Sequence, residues 1–151
     1  MTLAHDLYLF NEGRNRQAYR LLGAHPRAGG TLFRVWAPNA AGVSVIGEFN
    51  AWQADADPMR SLGDGGVWEA WVPGAVPGQL YRFAIVAGDG RRLEKNYPYA
   101  RGFALRPVTA AYVVAPSTYA WGDADWLRRR AEWDWQRAPL NVYEVHAGSW
   151  M

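Results

Sequence analysis

The spacing of hydrophobic and polar positions changes twice along the chain. Residues 5–22 carry apolar side chains at helical spacing, with Asp6 as the expected N-cap ahead of Leu7, Leu9 and Phe10 and Gly13 as the stop. A second short helical stretch over 17–22 ends at Gly23. From Thr31 the period becomes two, over TLFRVWAP (31–38), VSVIGEF (43–49), VWEAWVP (67–73), LYRFAIVA (80–87) and a shorter AYVV (111–114). Turn-forming clusters separate these runs at 39–42, 63–66, 73–78 and 88–90, and the last, GDG, is the clearest hairpin mark. Short alternating runs at this spacing predict an all-β sandwich or barrel. The inward phase of the strands assigns Phe33, Trp36, Val43, Val45, Phe83 and Ile85 to the core.

After Pro116 the pattern changes again. WGDADWLRRRAEWDW reads as a short helix capped by Asp123 and followed by a linker that ends at Ala138-Pro139. A near-continuous apolar run from Leu140 to His146 follows, and its lack of alternation predicts a strand buried on both faces, as in a parallel barrel. The sequence supplies no partner strands for it, so the chain reads as truncated. Four segments are expected: a helical leader (1–29), a β-sandwich (30–116), a helix and linker (117–139) and the start of a barrel (140–151).

Composition narrows the classes. A chain of 151 residues, half of them hydrophobic, builds one good core with short appendages. Without cysteine there are no disulfides and no thiolate metal sites, and with no apolar run resembling a signal peptide or membrane span the expectation is a soluble cytoplasmic protein. A net charge of +2 and a pI near 9.1 permit a nucleic-acid partner, but the arginines are scattered. Only Arg128 to Arg130 cluster, and that run reads as a solvated helix face. No nucleic acid and no membrane are expected as partners. The nine tryptophans fit either a tightly packed sandwich or a surface that stacks flat ligands.

No catalytic constellation can be named. Glu144 and His146 flank Val145 and would project from one face of a strand like an acid/base pair, but a structural or pocket-supporting role is the favoured reading. Asp55, Asp57, Asp64, Asp89, Asp123 and Asp125 stand in turn or cap contexts. His5, His25 and His146 lack metal-ligand spacing, and the glycines at 63, 65 and 66 fit no phosphate loop, so neither metal nor cofactor is expected.

The segments DLYLFNEG, YRLLGAHP, FRVWAPNA, VSVIGEFNAW, PGQLYRF, YAWGD and YEVHAGSW, in this order, resemble the front end of bacterial glycogen branching enzymes of the α-amylase superfamily. The resemblance covers essentially the whole chain. It implies an immunoglobulin-like β-sandwich with short flanking helices, plus the first strand of an absent (β/α)8 barrel. It also implies a non-catalytic module that supports its own catalytic barrel in a glycogen-branching transferase and binds α-glucan, weakly here because Arg91 and Arg92 replace the second aromatic that the best sugar-binding relatives carry after the D-G turn. Retaining glycoside chemistry needs two carboxyls about 5 Å apart, and the family carries its carboxylates late in the barrel, so this chain alone is expected to be inactive. In related starch- and glycogen-binding modules the tryptophan of the loop after the V-x-V-x-G-x-F-N strand stacks on glucose, and a basic residue in the Y-K-F strand bonds sugar hydroxyls. The matching positions here are Trp52 and Arg82. The alternative for Trp52 is a plug at the end of the sandwich. One departure is Tyr97, where the family usually has an acidic residue before the proline, which bears on a turn contact. Two competing readings remain open: a stand-alone glycogen-targeting module, and the same module of a debranching or trehalose-forming relative.

Overall fold

The computed structural model describes residues 2–150. They fall into two units divided between Pro116 and Ser117, and each is treated by itself.

The first unit is an immunoglobulin-like β-sandwich. It begins with helices α1 (Leu3–Asn11) and α2 (Ala18–Leu21). One sheet then takes the order β1-β2-β5-β4, formed by β1 (Gly23–Arg27), β2 (Gly30–Trp36), β5 (Val67–Pro73) and β4 (Arg60–Ser61). The other is β3-β6-β7, formed by β3 (Ala40–Gly47), β6 (Leu80–Ala87) and β7 (Arg92–Lys95), with β8 (Ala111–Tyr112) also pairing β6. All pairings are antiparallel. The GDG turn makes the β6–β7 hairpin, where Ala87 N–H donates to the Arg91 carbonyl at 2.9 Å and the Asp89 carboxylate accepts from Arg91.

Alternation decides what is buried. Phe33, Val43, Val45, Tyr81 and Phe83 hold inward positions and are essentially sealed from solvent, while Ile85 is partly buried against them. Aromatic rings touch in series through this core, Phe33 to Tyr81, Tyr81 to Phe83, Phe83 to Tyr97 and Tyr97 to Tyr99, with centroids 5.1 to 6.0 Å apart. Tyr97 is therefore a core residue rather than a turn contact, its hydroxyl accepting from Trp36 N–H at 3.1 Å. Burial pushes its phenol up to about 12. Tyr81 is buried deeper, its phenol is pushed up further by desolvation, and its hydroxyl has no hydrogen-bond partner among the described residues.

Trp36 is not a core residue. It lies on the outward phase of β2 at the strand's end and is 49% exposed. There its ring meets Phe10 of α1 edge-on at 5.9 Å and its Nε1 donates to the Gly65 carbonyl at 3.0 Å. The inward positions of β2 are odd-numbered, Thr31, Phe33 and Val35, all buried. The outward face of the first sheet is not bare, because Leu3, Leu7 and Phe10 of α1 and Ala18 and Leu21 of α2 pack into the same cluster as the sandwich core. On that face Glu69 is buried between two arginines, Arg34 at 2.6 Å and Arg60 at 2.5 Å. Desolvation raises its carboxyl, but hydrogen bonds and charge from Arg34 and then Arg60 outweigh it, so the group ends below its ordinary value.

Other differences from the sequence expectations have local causes. Thr2, not Asp6, caps α1, its side chain accepting from His5 N–H at 3.4 Å, and Asp6 falls in the first turn, where a carboxylate favours the helix dipole. Gly13 ends the helix with φ 67° as expected. The strand at Gly23–Arg27 interrupts no sequence period and was not foreseen, since GAHPR alternates too little to stand out. β3 stops at Gly47, where Glu48–Asn50 turn into a 3-10 helix instead of continuing to Phe49. β8 covers only Ala111–Tyr112, although Val113 continues the pairing through bonds with Gly78 and Gln79.

The second unit contains α3 (Ala124–Glu132) and a 3-10 turn at Ala147–Ser149. Asp123 is the residue before α3, but its side chain makes no capping bond, and Leu127 N–H donates instead to its carbonyl. The expected strand at Leu140 to His146 is not formed. Leu140, Val142, Tyr143 and Val145 are exposed, because an extended segment becomes a strand only when another strand pairs with it. Arg128 pairs with Asp125 and the Arg130 guanidinium lies 4.9 Å from the Trp126 ring centroid. No described helix is long and apolar enough to cross a membrane.

Candidate functional site

The site grows from the turn that ends β3. At Gly47 a side chain would strike the Leu80 carbonyl and the Phe49 ring, so only glycine fits between β3 and β6 at this point. Asn50 then ties the turn down. Its Oδ1 accepts from Gly47 N–H at 2.8 Å, and its Nδ2 donates to the Val45 carbonyl at 3.0 Å and to Asp57 at 2.7 Å. Ala51 and Trp52 both adopt left-handed backbone, φ 52° and 62°, the two non-glycine residues described with positive φ. Such a conformation costs roughly 1–2 kcal/mol per residue for a side-chain-bearing amino acid and persists only where surrounding bonds enforce it. Here Trp52 N–H donates to the Gly47 carbonyl at 2.9 Å, closing the loop. The indole is left 38% exposed.

Arg82 reaches the same place from β6. Its neighbours Tyr81 and Phe83 point inward and are buried, so alternation aims Arg82 outward, opposite Ile46 in the β3–β6 register. Its guanidinium lies 5.9 Å from the Trp52 ring centroid, at the limit for a cation–π contact. Three bonds fix it: Nε to the Thr109 carbonyl at 2.6 Å, one terminal nitrogen to Thr109 Oγ1 at 2.6 Å, and the other to Glu94 at 3.1 Å. Asn96 donates to the same Thr109 carbonyl at 3.2 Å. Of the five guanidinium N–H groups, two remain free to meet a ligand oxygen. The two residues singled out in the sequence are thus brought together by elements some thirty residues apart. Asn50, Glu94 and Thr109 were not foreseen. Asn50 was legible as the turn-former of FNAW, whereas Thr109 lies in a loop with no periodic signal.

The remaining candidates do not assemble. His146 Nδ1 lies 2.7 Å from Ser149 Oγ, and among the described residues no hydrogen bond or ion pair joins it to Glu144. No group of three or more His, Asp or Glu that could hold a metal occurs among the described residues. Arg91, beyond the hairpin turn, is paired with Asp89 at 2.7 Å.

Comparison with known proteins agrees with this architecture. Residues 21–100 match the family model for carbohydrate-binding module 48, the isoamylase N-terminal domain. The chain is 62% identical, over its whole length, to 24% of the 1,4-α-glucan branching enzyme of Dechloromonas aromatica. It is 52% identical over 96% of its length to 20% of that of Methylococcus capsulatus. It therefore spans about a quarter to a fifth of the length of these relatives. Among solved structures it is similar to pullulanase type I of Bacillus subtilis complexed with maltose, with TM-score 0.55 and 28% identity over 66% of this chain and 14% of that one. With 80 of its 151 residues matched, from 21 to 100, and with the sandwich that those residues build, the chain belongs to the carbohydrate-binding module 48 family.

Proposed function

We propose that this chain is the non-catalytic module of a 1,4-α-glucan branching enzyme and that it holds α-glucan weakly at Trp52 and Arg82. The observation that carries the site is the exposed indole raised on two left-handed residues beside a guanidinium with two unused donors. An apolar ring face next to a hydrogen-bond donor is what a pyranose presents a complement to, with its axial C–H face and equatorial hydroxyls. Covering one indole face removes ~100 Å² of apolar surface from water, worth about 2.5 kcal/mol at ~25 cal/mol per Å² before ordering costs.

The similarity to branching enzymes along the whole chain, at 62% and 52% identity against 28% for the pullulanase, favours the branching parent over a debranching one. In that parent the segment 117–139 is a linker and 140–151 the start of the catalytic domain, its partner, and the setting is the cytoplasm. A tethered module of low affinity raises the local concentration of a polymer with many equivalent sites.

Calorimetry with maltoheptaose tests the site. Trp52→Ala is expected to weaken binding roughly tenfold, about 1.4 kcal/mol, with the melting temperature nearly unchanged, and Arg82→Gln by a smaller factor with some fall in melting temperature, because its bonds to Thr109 and Glu94 are lost. If the parent chain gives no heat with millimolar maltoheptaose, the module is a spacer. The isolated chain is expected to form no α-1,6 linkages from amylose, and linkages above a buffer control would refute the non-catalytic reading.

A further inference from the structure

Residues 12–17 connect α1 to α2 and carry Arg14 and Arg16, and Arg20 follows within α2. Along the sequence these are three of many scattered arginines, but in the fold they line one open cavity of about 630 Å³ together with Asp6, Leu9 and Leu21. The connection follows a fixed course. Arg14 N–H and Asn15 N–H both donate to the Leu9 carbonyl, at 2.8 and 3.0 Å. The Asn15 side chain donates to the Asp6 carbonyl at 3.2 Å and accepts from Gln17 N–H at 2.9 Å. The ion pairs among the described residues use Arg34, Arg60, Arg82, Arg91, Arg128 and Arg137, and none uses Arg14, Arg16, Arg20 or Asp6. The Arg20 guanidinium instead lies 5.9 Å from the Tyr19 ring centroid. Three positive groups against one negative leave the lining with a net charge of +2.

We propose that this cavity binds the phosphomonoester of a sugar, at a site separate from Trp52. A guanidinium presents paired N–H groups that match phosphate oxygens, and a phosphomonoester near pH 7 carries close to two negative charges, equal to the excess in the lining. The volume falls within the range of small-molecule sites and exceeds what a bare phosphate needs. Half-buried Leu9 gives a sugar ring an apolar edge. The phosphomonoester has two sources, a free sugar phosphate or a phosphate ester carried on a glucan.

Amide NMR titrations of the chain at roughly 20 mM ionic strength, where the Debye length is long, test this with glucose 6-phosphate, inorganic phosphate, glucose and a 6-phosphorylated malto-oligosaccharide. Saturable shifts at residues 14–20 are expected with glucose 6-phosphate and not with glucose, weakened about tenfold or more in Arg16→Ala/Arg20→Ala and reduced by added salt. Whichever of the free and polymer-borne phosphates binds tighter names the source. Should the double variant unfold, Arg16→Gln alone carries the test, because Arg16 is exposed and its side chain makes no hydrogen bond among the described residues. The proposal is overturned if glucose 6-phosphate gives no saturable shift at these residues, if the variants bind it as the parent does, or if a single-stranded oligonucleotide binds there more tightly than glucose 6-phosphate.

Discussion

The Tyr81 hydroxyl is buried among aromatic rings and finds no hydrogen-bond partner among the described residues. An unmet buried hydroxyl costs about 1–3 kcal/mol, so Tyr81→Phe, which keeps the ring and removes the oxygen, is expected to leave the melting temperature equal or higher. A fall of several degrees would mean that the hydroxyl finds a partner in solution. Phe33 and Trp36, three residues apart on one strand, separate core from surface. Phe33→Ala is expected to cost about 3–5 kcal/mol, as for a sealed aromatic. Trp36→Ala loses an edge contact with Phe10 and an exposed hydrogen bond, together about 1–2 kcal/mol. Urea unfolding of the two variants side by side reads the difference. Strand phase placed Phe33, Val45 and Phe83 correctly because each stands mid-strand between alternating neighbours. It fails at Trp36, the last residue of β2, because an odd number of positions separates it from Phe33 and so turns it to the opposite face, and the helix that shelters its ring cannot be located from the period of the strand.

Among the elements, the turn after β3 depends on one side chain. Asn50 alone supplies three bonds to Gly47, Val45 and Asp57, and these hold Ala51 and Trp52 in left-handed backbone. Asn50→Ala is therefore expected to destabilise the sandwich by about 1–3 kcal/mol and to weaken maltoheptaose binding without touching the ligand. Asn50→Asp keeps the acceptor for Gly47 but sets a second carboxylate against Asp57 and the Val45 carbonyl, and near pH 7 it should cost at least as much as Asn50→Ala. A variant that loses affinity with an unchanged thermal melt would show that Asn50 contacts sugar directly. This turn was partly legible, since F-N-A-W departs from the alternation of the strand before it. Arg82 was legible too, from its place between two inward aromatics. Its anchors were not, because Glu94 and Thr109 are joined to it only when β7 and the loop before β8 fold back against β6. The run at 140–146 reads in the sequence as a strand for which the chain supplies no partner, and among the described residues none pairs with it.

For the molecule as a whole, Glu69 is a buried contributor to stability in acid. Its folded carboxyl lies below its ordinary value, held there by Arg34 and Arg60 against desolvation. Its contribution is fully present above about pH 4.5, the region of the unfolded carboxyl, and is lost as the pH falls through the lower folded value. The parent should therefore lose melting temperature steeply between about pH 5 and pH 3. Glu69→Gln should start lower, since Arg34 is left buried without its partner, and show a shallower fall over the same interval. Equal slopes would assign the acid transition to other carboxyls.

The distribution of rings also has an optical consequence. Eight of the nine tryptophans are exposed, and the ninth, Trp68, is only partly buried, whereas the rings sealed in the core are phenylalanine and tyrosine. Indole emission from the native chain should thus already be red-shifted and should change little as the sandwich melts. The near-ultraviolet circular dichroism of Tyr81 and Tyr97, fixed in asymmetric packing, should collapse at the transition. Fluorescence melts would then understate unfolding in the wild type, yet the same quiet background makes a change at one indole, Trp52 under a bound sugar, stand out.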